Sequence, residues 1–363
     1  MNISSKILNV LLILLLPVGF VSCGANDYAG GGIGGTGISV GKITAFGSVW
    51  VNGIEFDTTG AQIIKDGVSV LEVVTDDKEE PPTYLRRGMI VIVRGEFNLD
   101  GKRGTASSIE FRDNLEGPIS AVSINLVNQT FEVLGQTIKV DGVTVFEGTT
   151  DLSTLVDGNI IEVSGFVDAN GVIHATYISL KAGSIVEYGS DIELKGTITA
   201  LNEIPGTFKI GGLTIGFSSF DTTFEHMTIS DLQDGLYVEV KSTTGVSGNV
   251  LIASEIELEE KGHHVEVGHE FEVEGYVTFV ESVLIDGMFE LEGQSVQITS
   301  NTIFENGASV ADIVVDVKIE VEGKVDAFGV LIADKIEIKS GDDGDSDDSS
   351  ESDHVENGEN DPS

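Results

Sequence analysis

The sequence predicts an all-β protein, and three observations carry that prediction. The 363 residues include 45 glycines, which indicates many turns. Short segments alternate between apolar and polar residues, as half-buried strands do. One pattern also repeats: copies begin at equal intervals at Gly117, Gly196 and Gly275, and an earlier copy begins at Gly41. A repeat of this kind decides the architecture.

Each copy contains two alternating strands around a tight turn. These pairs occupy residues 49–56, 131–140, 208–215 and 289–298. Asn-Gly and Gly-Gly turns supply the positive φ angles that a tight hairpin requires. A short polar and apolar segment follows, such as residues 151–156 or 229–234, which predicts one or two helical turns ended by glycine. Two further strands complete the copy.

This order of elements predicts four tandem five-stranded Greek-key barrels, similar to the oligonucleotide/oligosaccharide-binding type (OB-like), each with a short helix. We name them repeat 1 (residues 38–113), repeat 2 (114–183), repeat 3 (191–262) and repeat 4 (270–340). A two-sheet sandwich stays open, because periodicity predicts strands without their partners. Residues 341–363 form an acidic tail that we expect to be disordered, with weak calcium binding at most.

The N-terminus predicts export. In residues 1–22 the only charged side chain is Lys6, and the apolar run 7–16 is too short for a lasting membrane span. The end of this signal peptide, Phe-Val-Ser-Cys at residues 20–23, resembles the lipobox of bacterial lipoproteins, although Phe20 stands where Leu is usual. The resemblance implies lipidation of Cys23, with simple secretion as the alternative. Residues 23–37 are predicted to form a glycine-rich tether. Gly24 is not an Asp-type retention signal for the inner membrane, so it favours the outer membrane.

Charge and cysteine content exclude several classes. Sixty acidic and 20 basic residues give a net charge of −40, which repels phosphate backbones and excludes nucleic acid as a partner. Cys23 is the only cysteine, so no internal disulfide forms. The sequence carries no nucleophile-elbow motif, and we predict neither catalytic residues nor a cofactor.

Three aromatic residues of repeat 1 are candidate ligand contacts. Trp50, Phe46 and Phe56 lie in or beside the predicted hairpin and could form a stacking platform, because OB-like barrels bind through this face. Core packing is the alternative, since aromatic residues on alternating strands are usually buried.

Histidines between repeats 3 and 4 are candidate metal ligands. His263, His264 and His269 lie close to Glu266 and Glu270, a donor set that suits zinc. A solvated connector is the alternative, because an exposed joint fixes no ligand geometry. His174, aligned with Thr105, Ile252 and Ile332 of the other repeats, is predicted to be a barrel-edge residue rather than a general base.

Residues 34–38 (GGTGI) lead into 43–54 (ITAFGSVWVNGI), and later segments of the same kind lie at 116–119, 133–138, 158–165 and 175–178. These motifs resemble a bacterial family called domain of unknown function 5666. They cover most of residues 34–183, and repeats 3 and 4 match more loosely; repeat 3 has Lys241-Ser242 in place of a strand-ending glycine. The resemblance implies a secreted or lipid-anchored β-domain of unassigned activity, with no catalytic residues to carry over.

We therefore expect a non-catalytic cell-envelope lipoprotein. Its barrels would serve as a spacer or binding array, held to the membrane by the N-terminal lipid, with an envelope protein or a glycan as partner. A polysaccharide-binding module is one alternative, and an envelope hydrolase is another.

Overall fold

The computed structural model describes residues 35–65, 67–70, 84–98, 101–189, 191–259, 262–263, 265–281 and 286–339. All of them lie in one compact unit. The predicted signal peptide, Cys23, most of the predicted tether, His264 and the acidic C-terminal residues lie outside the described residues. Within the described part, no helix is both long and apolar enough to span a membrane.

Regular structure in the described residues is almost entirely β-strand. Repeat 1 has strands β1 (Gly35–Ala45), β2 (Val49–Val51), β3 (Ile54–Asp57), β4 (Gln62–Lys65), β5 (Val68–Val70), β6 (Ile90–Phe97) and β7 (Arg103–Phe111). Repeat 2 has β8 (Leu115–Pro118), β9 (Thr130–Val133), β10 (Gln136–Lys139), β11 (Val145–Glu147), a 3-10 helix (Leu152–Thr154), β12 (Ile160–Val167) and β13 (Ile173–Ala182). The short helix α1 (Ile185–Tyr188) follows.

The second half of the chain repeats this order. Repeat 3 has β14 (Ile192–Thr197), β15 (Thr199–Asn202), β16 (Thr207–Ile210), β17 (Leu213–Gly216), β18 (Thr223–Glu225), a 3-10 helix (Ile229–Asp231), β19 (Tyr237–Ser242), β20 (Val250–Ile252) and β21 (Glu255–Leu258). Repeat 4 has β22 (Glu270–Val280), β23 (Met288–Leu291), β24 (Gln294–Gln297), β25 (Ile303–Phe304), a 3-10 helix (Val310–Asp312), β26 (Lys318–Val325) and β27 (Leu331–Ile338). The all-β prediction is confirmed.

The strands of repeat 2 close into a five-stranded barrel. They pair in the order β8, β12, β13, β10 and β9, and a bridge between Ile119 and Val133 returns β9 to the end of β8. The parallel pairing of β10 with β13 makes this closure possible. Alternation fills the interior: Phe131, Val133 and Ile138 are buried. A sandwich is therefore excluded for this repeat.

Equivalent pairings recur elsewhere. In repeat 1 the order is β1, β6, β7, β3 and β2, and β2 pairs with β1 again. In repeat 4 it is β22, β26, β27, β24 and β23, and β23 pairs with β22. Repeat 3 divides its pairings between two sheets, one with β14, β19 and β21 and one with β15, β16, β17 and β20.

The glycine that begins each sequence copy makes room for the hairpin turn. A Cβ on Gly41, Gly117, Gly196 or Gly275 would lie 2.0, 2.7, 2.3 or 2.4 Å from the side chain of Asn52, Leu134, Ile210 or Glu292, respectively. Real Cβ atoms do not approach other heavy atoms so closely. The turn can therefore fold over the first strand only where that strand has no side chain.

A second glycine stands at a β-bulge between the last two strands. The register shifts at Gly95, Gly165 and Gly323, and a Cβ at these positions would lie 2.0–2.3 Å from a carbonyl oxygen of the neighbouring strand. Repeat 3 has Ser242 here. Its hydroxyl donates to the carbonyl of Ile252 at 2.7 Å, and the last strand is divided into β20 and β21.

The repeats pair through their first strands. Strand β1 lies parallel to β22, which joins repeat 1 to repeat 4, and β8 lies antiparallel to β14, which joins repeat 2 to repeat 3. Repeat 2 also touches repeat 1: Tyr177 is buried against the core of repeat 1, and the backbone N–H of Ile90 donates to Ser164 Oγ at 2.9 Å. The outer faces of the sheets are consequently contact surfaces.

We predict that Gly165→Ala and Gly323→Ala each lower the free energy of unfolding by about 1–3 kcal/mol, because the added methyl group would meet backbone rather than a flexible side chain. Thermal or urea denaturation of the purified protein measures this loss. Gly142→Ala is the control, since a Cβ at Gly142 meets nothing within 4 Å. Equal stability of all three variants would contradict the close-approach explanation.

Candidate functional site

Glutamates on the outward faces of the strands are buried between repeats. Glu116, Glu162, Glu239 and Glu320 are each no more than 5% exposed, although alternation places them opposite the barrel interior. Burying a carboxylate without compensation is strongly unfavourable. Each of these residues therefore has a nearby cation.

Lysines from more than one repeat compensate the carboxylates of repeat 2. Glu162 Oε2 lies 2.8 Å from Lys65 Nζ of repeat 1 and 3.0 Å from Lys181 Nζ. Burial raises the pKa of Glu162, but the two ammonium groups outweigh that effect and hold it below its ordinary value. Glu116 is less well compensated, since Lys181 lies 3.7 Å away, and burial raises its pKa to about 8.

Similar ion pairs involve lysines of repeats 3 and 4. Lys195 lies 3.0 Å from Asp113 and 2.9 Å from Glu239. In repeat 4, Lys339 lies 2.9 Å from Glu320, and burial nevertheless raises the pKa of Glu320 to about 7. Glu272 accepts a hydrogen bond from Ser39 of repeat 1 at 2.8 Å.

Three carboxylate clusters have metal-ligand spacing. They comprise Asp113, Glu116 and Glu162; Glu239, Glu257 and Glu259; and Glu272, Glu320 and Glu322. Lysine ammonium groups contact every cluster, so the cation that each requires is already supplied by the protein. We interpret all three as structural ion-pair networks between sheets.

A large cavity lies where the repeats meet. Its volume is about 980 Å³, within the range of ligand sites. Its wall includes Ile92 and Arg112 of repeat 1, Phe166 of repeat 2, Tyr237 of repeat 3 and Thr278 of repeat 4. The cavity therefore exists only because all four repeats are packed together.

Hairpin turns form part of the cavity wall. The N–H of Gly212 donates to the carbonyl of Gly135 at 3.0 Å, and Gln136 Nε2 donates to the carbonyl of Ile210 at 2.9 Å. A Cβ on Gly262 would lie 3.2 Å from the carbonyl oxygen of Gly293. The turns of repeats 2, 3 and 4 and the connector before repeat 4 thus border one space.

The cavity wall is rich in carboxylates. It contains Glu110, Asp113, Glu132, Asp168, Glu259, Glu290 and Glu292, against Arg112 and Lys195 as the basic residues. Arg112 is engaged by Glu110 at 2.6 Å and by Glu259 at 3.0 Å. Since Lys195 is paired as described above, carboxylates are in excess around the cavity.

Glu292 lines this cavity, but its Oε1 lies over Gly275, where an added Cβ would be 2.7 Å away. The residue occupies the turn after β23 with φ of 48°, and its Oε1 is buried without a hydrogen-bond partner. Burial raises the pKa of Glu292 to about 8, with Glu274 also raising it, while backbone hydrogen bonds from Tyr276 and Val167 and the charge of Lys318 oppose the rise. The carboxyl is largely protonated at neutral pH.

His263 also lines the cavity and has a buried atom, Nδ1, without a partner. Its ring meets Phe271 edge-on with 5.7 Å between centroids. Burial, together with the charges of Arg112 and Arg94, lowers the pKa of His263 to about 3. The imidazole is therefore neutral at physiological pH.

His174 takes part in a contact between repeats 2 and 4. Its Nε2 lies 3.1 Å from Asp168 Oδ2, and its Nδ1 lies 3.0 Å from the hydroxyl of Tyr276. His174 is predicted from the sequence as a barrel-edge residue, but its partner Tyr276 comes from repeat 4 and has no signal within repeat 2.

The predicted aromatic platform is not assembled. Phe56 is fully buried and packs edge-on against Phe97, and Phe46 packs against the same core. Trp50 pairs with Glu55 across the hairpin, so its side chain lies on the opposite face from Phe56. Of the three residues, Trp50 alone points away from the core.

The predicted histidine group is also dispersed. His263 borders the cavity, whereas His269 lies 3.3 Å from Thr36 Oγ1 and 3.4 Å from Glu266. His264 lies outside the described residues. In the described part of the chain, the groups with metal-ligand spacing contain carboxylates and no histidine.

The main elements of the cavity could not be predicted from the sequence. Glu292 is a turn residue and Tyr237 begins a strand, so neither belongs to a recognisable motif. One signal was available: at the left-handed turn position the other repeats have Asn52, Leu134 and Gly211, and an ionisable residue occurs only in repeat 4.

We predict that the protein loses stability between pH 6.5 and pH 8.5, and that Glu292→Gln reduces this loss. The unfolded carboxyl titrates near 4.5 and the folded one near 8, so the folded state binds more protons in this window and its stability falls as pH rises. His263 does not add to the slope, because its folded pKa is depressed and its contribution changes below pH 6.5.

Melting temperatures at several pH values measure the effect. The exposed Glu203 lies outside the cavity wall, so Glu203→Gln controls for the loss of one carboxylate. An unchanged slope in Glu292→Gln would refute the assignment.

No curated protein matches the chain. A solved structure described as "drosophila Unr CSD456" is 14% identical, with 62% of this chain and 97% of that chain covered and a TM-score of 0.16; a likeness of this size carries no inference. The family model for the domain of unknown function DUF5666 matches residues 116–179, 195–257 and 265–337. These segments lie in the later repeats and make up more than half of the chain, which therefore belongs to the DUF5666 family.

Proposed function

We propose that this protein is a non-catalytic cell-envelope lipoprotein whose four small β-barrels form one ligand-binding module. The observation that carries the proposal is the central cavity, whose wall comes from all four repeats. A chain of barrels acting only as a spacer has no need of first-strand pairing between repeats 1 and 4. The pairing supports a binding array over an extended spacer.

The envelope location rests on the N-terminal sequence. The signal peptide and the lipobox-like residues 20–23 support export and attachment through Cys23, and Gly24 supports the outer membrane. The partner is an envelope component that reaches the cavity, either a glycan or a protein. A surplus of carboxylates in the chain argues against nucleic acid.

Polysaccharide binding is the second candidate. The cavity wall combines polar side chains with Tyr237 and Phe166, and sugars are bound by such mixtures of hydrogen-bonding groups and aromatic rings. Trp50 offers a separate surface on repeat 1 for the same chemistry.

We predict that the full mature protein is retained on immobilised native envelope polysaccharide and that Thr199→Trp weakens this retention. Thr199 is exposed and borders the cavity, so a bulky side chain there would fill the space. Thr223→Trp, on an exposed strand position outside the cavity wall, is the matched control. Saturable binding measured by column retention should fall for the first variant alone.

Two results would redirect this interpretation. If Trp50→Ala weakens retention and Thr199→Trp does not, the binding surface lies on repeat 1. Hydrolysis of a substrate that is abolished by a single carboxylate or histidine substitution would overturn the non-catalytic proposal.

Lipid attachment is tested separately. Metabolic labelling with a fatty-acid analogue should mark the wild-type protein and not Cys23→Ala, because the thiol is the acceptor. Equal labelling of both proteins, or labelling of neither, would reject the anchor and favour simple secretion.

A further inference from the structure

We propose that Phe328, at the tip of the β26–β27 hairpin in repeat 4, contacts the lipid surface that carries the N-terminal anchor. The inference rests on the lipid attachment at Cys23 proposed above and adds the face of the protein that meets the membrane. It starts from two features that occur together at one end of the sheet shared by repeats 1 and 4: the start of β1 and an exposed aromatic ring.

The β26–β27 tip lies at the end of the sheet where β1 begins. Strands β1 and β22 are parallel, with Gly37 opposite Glu270, and Glu270 lies opposite Lys324 near the end of β26. Because β26 runs antiparallel to β22, the turn residues 326–330 extend past the first residues of β1. The tip and the start of β1 therefore face the same direction.

The turn itself does not require a phenylalanine. Asp326 Oδ1 accepts hydrogen bonds from the N–H of Phe328 at 2.8 Å and from that of the second residue after it at 3.0 Å. In repeat 2, Asp168 Oδ1 accepts the corresponding bonds from Asn170 and from the second residue after it, both at 2.9 Å. The same turn thus forms with a polar residue at the position of Phe328.

The two tips present different surfaces. In repeat 2, the N–H of Ala169 and the side-chain amide of Asn170 donate to Asp316 of repeat 4 at 2.9 and 3.0 Å. In repeat 4, Phe328 is 91% exposed, and Val267, in the segment before β22, is 65% exposed at the same end. A polar tip suits a hydrogen-bonding protein surface, whereas an apolar ring suits the boundary between lipid headgroups and acyl chains.

The length of chain before β1 identifies the lipid surface as the partner. Eleven residues, 24–34, separate Cys23 from Gly35, and a fully extended chain of that length spans at most about 40 Å. An anchor at Cys23 therefore holds the start of β1, and with it the β26–β27 tip, close to the membrane. Strand β1 then runs for 11 residues away from this end.

Exposure alone would not identify this surface. Single apolar residues are also exposed on repeats 2 and 3, for example Val127 at 91% and Phe220 at 94%, and scattered residues of this kind are normal on soluble proteins. Phe328 is distinguished by its position beside the start of β1. This difference supplies a matched control, because Phe220 is an equally exposed phenylalanine on repeat 3.

Charge at this end opposes membrane contact less than the composition of the whole chain would. The described residues around it, 96–98, 101–104, 265–270 and 324–331, include four acidic and three basic side chains, whereas the chain has 60 and 20. The basic residues are Lys102, Arg103 and Lys324. Repulsion from anionic headgroups is therefore weaker here than the net charge of −40 implies.

Tryptophan fluorescence of the lipidated mature protein, reconstituted in phosphatidylcholine vesicles, tests the proposal. Bromine atoms on the acyl chains quench an indole that reaches the hydrocarbon. Trp50 is the only tryptophan of the chain and pairs with Ala45 at the far end of β1, so the wild-type emission gives the baseline. Phe328→Trp should lose its added emission in brominated vesicles and keep it in unbrominated ones. Phe220→Trp should keep its added emission in both.

The outcomes separate this inference from the proposed function. If Phe328→Trp that carries the lipid is not quenched, or if Phe220→Trp or the wild-type Trp50 is quenched to the same extent, the membrane contact is refuted and the lipid attachment stands. If fatty-acid labelling shows that Cys23 carries no lipid, the anchor and this inference both fail. Retention of envelope polysaccharide, and its loss in Thr199→Trp, does not depend on either result.

Discussion

Close backbone approach at glycine is the constraint on which the rest of the structure depends. The hairpin turn of each repeat lies directly over its first strand, and that strand carries a glycine at the contact. A second glycine permits the bulge that bends the last two strands. Because the turns are fixed against the first strands, and the first strands pair between repeats, the turns are also brought together around the cavity.

The same pairing determines where the charges lie. Joining first strands covers sheet faces that would otherwise be solvated, so glutamates at alternating positions become buried. Ion pairs that are buried contribute little net stability, but breaking one is strongly destabilising because it leaves a charge unpaired. The lysine pairs therefore favour one arrangement of the repeats over others. A protein with 20 basic and 60 acidic residues places a large part of its few cations at these contacts.

The local fold could be predicted from the sequence, and the site could not. Alternation and turn residues predicted the hairpins, and glycine at the segment ends predicted short helical turns, which the structure has at Leu152–Thr154 and Ile229–Asp231. These signals act within one repeat. Alternation shows only that Glu162 lies opposite the core and not what covers that face, and its partner Lys65 is 97 residues away. Trp50 and Phe56 were grouped by proximity in sequence. The hairpin register pairs Phe56 with Val49 and Trp50 with Glu55, which places the two aromatic side chains on opposite faces.

The cavity differs in kind from the ion-pair contacts that surround it. At the contacts, buried glutamates have lysines within hydrogen-bond distance, as folding alone would require. At the cavity, Glu292 and His263 have buried atoms without hydrogen-bond partners, as Asn52 and Glu116 also do. What distinguishes the cavity is its excess of carboxylates, because seven acidic residues border it against Arg112 and Lys195.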